Sequence, residues 1–144
     1  MIISIGIDII EVARVRAVLR RTPRFAERVF TPGERDYCER RGVVAPQHYA
    51  ARFAAKEAAL KSLGTGWSGG LAWQDIEVVS NAAGAPSVVF HNLALELFTR
   101  SGATTAHLSI SHTSEHAIAQ VLLERRDAGR PAGDTGIVTQ TTTS

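Results

Sequence analysis

Residues 2–7 are almost all apolar and β-branched, the pattern of a strand buried on both faces, and the run ends at Asp8. Beyond residue 11 the period changes. Val12, Val15, Val18 and Leu19 recur at helical spacing to residue 21, with arginines on the opposite side. Thr22-Pro23 interrupts that helix, and residues 25–29 fit a single further helical turn. Thr31-Pro32-Gly33-Glu34 combines a capping box with a proline at the first helical position, which predicts a helix over 32–41. The longest helix is predicted from Pro46 to Gly64, because a glycine that can take positive φ suits a helix C-terminus.

That long helix has two packing sides. Ala51, Ala55, Ala58, Ala59 and Ser62 make a small-residue side, while Tyr49, Phe53, Leu60 and Leu63 form a bulky stripe. A Gly-rich loop spans 64–70. Residues 75–79 and 87–90 then flank the turn 81–86 as the arms of a hairpin, and 92–100 reads as a helix stopped at Gly102. Residues 105–111 and 117–123 read as two strands joined by a short loop over 112–116. The order β-α-α-α-β-β-α-β-β places the chain in the α+β class, as one domain over 1–125. From Arg126 the composition shifts to Gly, Asp, Thr and Ser, which predicts a disordered tail over 126–144.

Composition narrows the possibilities further. With 44% hydrophobic and 21% charged residues in 144, the chain reads as globular, and no apolar run reaches the roughly 20 residues of a membrane span. The apolar N-terminus lacks a basic flank and contains Asp8, so it reads as the first strand of a cytoplasmic protein rather than a leader. Cys38 is alone, which excludes an internal disulfide and a cysteine zinc cluster. The net charge of +2 conceals a cluster: Arg14, Arg16, Arg20, Arg21, Arg24 and Arg28 fall within fifteen residues. They predict either an acidic partner or a solvated helix surface. Nucleic acid is a weaker candidate, since the arginines are not accompanied by aromatic–basic interleaving of the stacking kind.

On the long helix, Glu57 and Lys61 are four residues apart and share a face, in the favourable orientation for an ion pair. Arg52 and Lys56 are also four apart, and two like charges at that spacing call for an anion or a carboxylate between them. Together the four suggest a wall for a phosphate-bearing ligand. A carboxylate beside a phosphate implies a hard cation, and Mg²⁺ binds through one or two carboxylates plus phosphate oxygens and water. Asp8 and Glu57 are the candidate pair. Spacing leaves open the plainer alternatives, Asp8 as a helix N-cap and Glu57 as half of a surface pair.

Three segments in order, Gly6-Ile7-Asp8-Ile9-Ile10-Glu11, Arg52-Phe53-Ala54-Ala55-Lys56-Glu57-Ala58-Ala59-Leu60-Lys61 and Ser109-Ile110-Ser111-His112-Thr113, resemble the phosphopantetheinyl transferases. The likeness is to the short holo-acyl-carrier-protein synthase type and extends from residue 1 to about 124, including Arg24-Phe25-Ala26-Glu27-Arg28. It implies an antiparallel sheet packed on the long helix, a homotrimer with sites between protomers, and Mg²⁺-dependent transfer of phosphopantetheine from coenzyme A to a serine of an apo acyl carrier protein. By the same resemblance Asp8 and Glu57 ligate the metal and Lys61 holds phosphate oxygens. Gly64, Thr65 and Gly66 approach the nucleotide, Arg52 reaches a phosphate, and Ser111, His112 and Thr113 close the site. Alternation along 105–112 also fits His112 as a core histidine. Arg14, Arg21, Arg24 and Phe25 match carrier-docking positions, which gives the arginine cluster an acidic partner. Where larger relatives carry a second metal-binding acid, this chain has Ile10. Val43-Val44 stands near the place of a basic pair that contacts the 3′-phosphate in some short members, leaving Arg40, Arg41 or His48 as substitutes. The residue that accepts the serine proton, and whether the carrier serves fatty-acid or polyketide synthesis, are left open.

Overall fold

The computed structural model describes residues 1–66 and 69–127, together with the backbone of 141–143. Two residues of the Gly-rich loop and most of the tail expected to be disordered thus lie outside the described residues. The elements follow the predicted order. Strand β1 (Ile2–Glu11) leads into α1 (Val12–Arg21), α2 (Arg24–Val29), α3 (Pro32–Glu39) and a 3₁₀ turn at Gly42–Val44. Helix α4 (Ala45–Leu63) follows, then a 3₁₀ turn at Trp73–Asp75, the hairpin β2 (Ile76–Ser80) and β3 (Pro86–Phe90), α5 (Asn92–Arg100), β4 (Thr105–His112), β5 (His116–Glu124) and β6 (Thr141–Thr143).

The main sheet has the order β1-β5-β4-β6, antiparallel throughout except that β6 runs parallel to β4 opposite Ile110, Ser111 and His112. Strand β1 is longer than the apolar run suggests. Antiparallel pairing with β5 carries it past Asp8, which faces Ala119, as far as Glu11 opposite His116. Asp8 is therefore a mid-strand residue and not a helix N-cap; Glu11 occupies that position before α1, without a side-chain cap. Nor is β1 buried on both faces. Helix α4 covers only the side bearing Gly6, while Ile5, Ile7 and Ile9 on the other remain 52%, 53% and 62% exposed.

The contact between α4 and β1 is a backbone contact. A Cβ built on Gly6 would lie 2.0 Å from the Ala58 carbonyl oxygen and 2.7 Å from the Ser62 nitrogen, so no other residue fits. Ser4 Oγ donates to the Ser62 carbonyl at 2.5 Å beside it. On the same inner face Leu108, Ile110 and His112 of β4 and Ala117, Ala119, Val121 and Leu123 of β5 are buried against the alanines of α4. The capping box before α3 forms with both arms: Glu34 N donates to Thr31 Oγ1 at 3.2 Å, and Thr31 N donates to Glu34 Oε1 at 2.9 Å. At the other end of α4, Gly64 takes φ 75°, the left-handed conformation expected of it.

Candidate active site

At 100° per residue the charged positions of α4 divide into two sets on opposite sides, with nine residues placing Arg52 about 180° from Lys61. The wall of four residues expected on one face does not form. Glu57 and Lys61 project toward β1, whereas His48, Arg52 and Lys56 project toward α3 and the β2–β3 hairpin.

On the β1 side, Lys61 Nζ donates to Asp8 Oδ1 at 3.1 Å and to the Ile7 carbonyl at 3.0 Å. The lysine side chain is 53% exposed and the aspartate 15%, so a largely buried strand acid faces a half-exposed cation. The second oxygen, Asp8 Oδ2, is buried and has no hydrogen-bond partner among the described residues. An ionised carboxylate accepts only, and an orphaned buried oxygen is costly unless a donor or cation supplies the missing partner. Glu57 lies one turn back from Lys61, on the same side. The donor set and the orphan oxygen therefore fit a hard cation held between a strand and a helix. Gly64 and Gly66 follow at the helix end with open space around each α-carbon, and the Thr65 hydroxyl donates to the Gly66 carbonyl at 3.3 Å.

The opposite side of α4 carries an aromatic and cationic stack. The guanidinium of Arg52 lies 3.7 Å from the centre of the Tyr37 ring and that of Arg41 4.2 Å from it. Arg52 Nη2 donates to Ser80 Oγ at 3.1 Å, while its buried Nε has no partner among the described residues. The rings of His48 and His112 meet edge to face with centres 4.9 Å apart. Burial lowers the His48 pKa to about 4, with contributions from His112, Arg41 and Arg52, and burial lowers that of His112 as well. Both rings are thus neutral at pH 7. His112 is inward-facing, as alternation requires, yet its Nδ1 is another buried atom with no partner among the described residues.

Lys56 belongs to neither surface. Its ammonium and the Glu34 carboxylate are both fully buried, 2.8 Å apart, and burial pulls the lysine pKa down while Glu34 opposes that shift. Sequence reasoning placed Lys56 among the phosphate-facing residues and read Glu34 only as a capping residue. The one signal of their pairing was a lysine within an apolar stripe. Thr113 turns inward on its own loop, its hydroxyl accepting from Glu115 N and His116 N at 3.1 Å each. Ser111 and His112 end strand β4 as expected. Arg14 and Phe25 line a groove of about 330 Å³ with Val15, Val18, Phe53 and His116, while Arg21 and Arg24 are exposed beyond its lining. Phe53 was not singled out as part of this surface.

A family model for the 4′-phosphopantetheinyl transferase superfamily matches residues 4–121. The chain belongs to that superfamily. The holo-[acyl-carrier-protein] synthase of Koribacter versatilis is 46% identical over 125 residues, 86% of this chain and 99% of that protein. The protein of the same name from a Geobacter species (strain M21) is 44% identical over 126 residues, 87% of this chain and 100% of its own length. Among solved structures, the Bacillus anthracis holo-(acyl-carrier-protein) synthase in complex with CoA (3′,5′-ADP) superimposes with a TM-score of 0.72 at 38% identity, covering 88% of this chain and 99% of that one. The transferase fold is thus shared over the described sheet and helices, and both site clusters lie inside the matched span.

Proposed function

We propose that this chain transfers the 4′-phosphopantetheine arm of coenzyme A to a serine hydroxyl of an apo acyl carrier protein, at a site built on Asp8, Glu57 and Lys61. The observation that carries the site is the Oδ2 of Asp8 beside Lys61, a buried oxygen with no partner among the described residues. Asp8 and Glu57 would hold Mg²⁺, which when bound would neutralise charge on the diphosphate. Lys61, anchored at Asp8 and the Ile7 carbonyl, has a third donor without a partner among the described residues, which orients a phosphate oxygen. The carrier serine attacks the β-phosphorus in line, the bond from that phosphorus to the bridging oxygen breaks, and adenosine 3′,5′-bisphosphate leaves. The serine proton passes to Glu57 or to water at Asp8.

The second cluster of the same chain faces away from the first, so one small ligand reaches both only if another copy supplies it. The outer face of β1 supports such an assembly, since its isoleucines form an apolar stripe at the surface of a single chain. We therefore assign a homotrimer in which Asp8, Glu57, Lys61 and Gly64 of one protomer meet Arg52, His48 and His112 of the next. Val43, 97% exposed, cannot bind an anion electrostatically. Arg40 is paired with Asp36 at 2.9 Å, whereas Arg41 shares the Tyr37 ring with Arg52, and these two arginines take the 3′-phosphate. The groove at Arg14 and Phe25 receives the acidic carrier, with Arg21 and Arg24 at its rim; opposite charge raises the association rate.

Glu57→Gln removes one charged ligand without altering side-chain size. The variant should remain folded by circular dichroism and leave an apo carrier unmodified in the presence of coenzyme A and Mg²⁺. Appearance of the phosphopantetheine mass increment on the carrier at the wild-type rate would refute the site.

A further inference from the structure

The approach of Glu57 and Lys61 to Asp8 depends on the rotation of α4 about its own axis, and the alanine side of the helix that meets the sheet specifies that rotation poorly. Ala50, Ala51, Ala54, Ala55, Ala58 and Ala59 are all buried and together span half the circumference of the helix. Ala54 and Ala58, like Ala51 and Ala55, lie only about 40° apart around the axis, so a modest rotation still turns alanines toward the sheet. The close approach at Gly6 fixes how deeply α4 lies on β1, and in the Lys61–Asp8 pair the lysine side chain is half exposed.

The Glu34–Lys56 pair has the specificity that the alanines lack. Lys56 Nζ reaches three acceptors: Glu34 Oε1 at 2.8 Å, the Trp73 carbonyl at 3.2 Å and the Ile76 carbonyl. Glu34 in turn takes Thr31 N on Oε1 and Val78 N on Oε2, each at 2.9 Å. Helix α4 is thereby tied to the start of α3 and to the first residues of the β2 hairpin by groups that tolerate little displacement. A buried charge that loses its partner is heavily penalised, whereas an intact buried pair adds little stability over an apolar pair of similar size. Such a pair selects one arrangement more than it strengthens it. With side-chain tips about 5–6 Å from the axis, a 20° rotation displaces them by about 2 Å, enough to break the contacts of Lys56. The same rotation would carry Glu57, the next residue, an equal distance from Asp8.

We infer that Glu34 and Lys56 are positioning residues for the transfer reaction: their buried pair fixes the rotation of α4 and so aims Glu57 and Lys61 at Asp8. This rests on the assignment of Glu57 to the metal site. Neither residue touches substrate, and their effect passes through the helix.

The test is the full-length Glu34→Gln/Lys56→Met double variant, in which neither member of the pair carries a charge and glutamine retains one acceptor oxygen for the capping box. It is compared with Val121→Ala, a core truncation on β5 that lowers stability without involving the pair. Both are assayed for thermal unfolding, for kcat and KM in carrier modification, and for Mn²⁺ binding by electron paramagnetic resonance. The double variant should fold and lose about 10- to 100-fold in kcat, a loss of the size that misplacement by an ångström or more produces, with weaker Mn²⁺ binding. Val121→Ala should keep its kcat at the same distance below its melting temperature. A double variant that stays unfolded, or folds with wild-type kcat, would overturn the inference and make the pair a structural element only. Wild-type protein that binds no Mn²⁺ would refute the metal assignment instead, while the kcat comparison would still judge the positioning role.

Discussion

Replacing Gly6 with alanine tests the joint on which the site depends. The new methyl would lie 2.0 Å from the Ala58 carbonyl oxygen, where ordinary contact begins at 3.4 Å, so strand and helix must separate by more than an ångström. Overpacking of side chains costs about 1–3 kcal/mol, and here both partners are main chain, so the upper end of about 3 kcal/mol applies. For a domain of this size each kcal/mol lowers the melting temperature by about 2–4 °C, giving a decrease of about 10 °C. The same separation stretches the 3.1 Å contact between Lys61 and Asp8 beyond hydrogen-bond range. Activity should therefore fall even at temperatures where the variant is fully folded. The assay is a thermal melt by circular dichroism at matched protomer concentration, followed by carrier modification at 20 °C below the measured midpoint. A melting temperature within about 2 °C of wild type would show that β1 and α4 are not held by this contact.

Ile5→Glu/Ile9→Glu places charges on the exposed stripe of β1 and should convert the assembly to monomers in analytical ultracentrifugation, with loss of turnover, while the monomer keeps its secondary structure. Stability should fall as pH drops from 6.5 toward 4: His48 has a folded pKa near 4 against 6.5 unfolded, so the unfolded chain binds the extra proton throughout that window. Urea titrations should show the loss, of about 1–2 kcal/mol after solvent screening, and His48→Gln should remove most of it. Arg14→Glu/Arg21→Glu should raise KM for the acidic carrier by about tenfold at low salt and leave KM for coenzyme A unchanged, the difference shrinking as salt is added. Equal KM values for the carrier in wild type and variant would refute docking at α1.

The elements most legible in the sequence were those governed by local chemistry. The capping box at Thr31 and Glu34 and the glycine stop at Gly64 both form where the residue types demand them. Strand β1 misled because a mostly apolar run fits either burial by the chain's own core or, as proposed for Ile5, Ile7 and Ile9, burial by another copy, and local pattern does not distinguish them. The candidate wall on α4 failed for a related reason. Spacing by four residues shows that Arg52 lies beside Lys56 and Glu57 beside Lys61, but adjacent numbering hid that Lys56 and Glu57 are about 100° apart. Lys56 found its partner 22 residues upstream, a tertiary contact that no periodicity reveals. The orphan oxygen of Asp8 was equally invisible, because it depends on what β5 and α4 exclude.

Strand β1 links these observations, since its two faces serve different ends through one alternation. Gly6 and Asp8 point inward, one admitting the backbone of α4 and the other presenting the carboxylate, while Ile5, Ile7 and Ile9 point outward. A slip of one residue in the pairing with β5 would exchange every member of one set for the other, burying isoleucines against α4 and expelling Asp8. Gly6 forbids that slip, because no isoleucine can occupy a position where even a methyl group meets the Ala58 carbonyl. The residue that brings the helix close to the strand thereby also determines which side chains are presented to the second copy of the proposed trimer. The proposed assembly and the proposed chemistry thus depend on one register, and a variant that disturbs the register should lose both together.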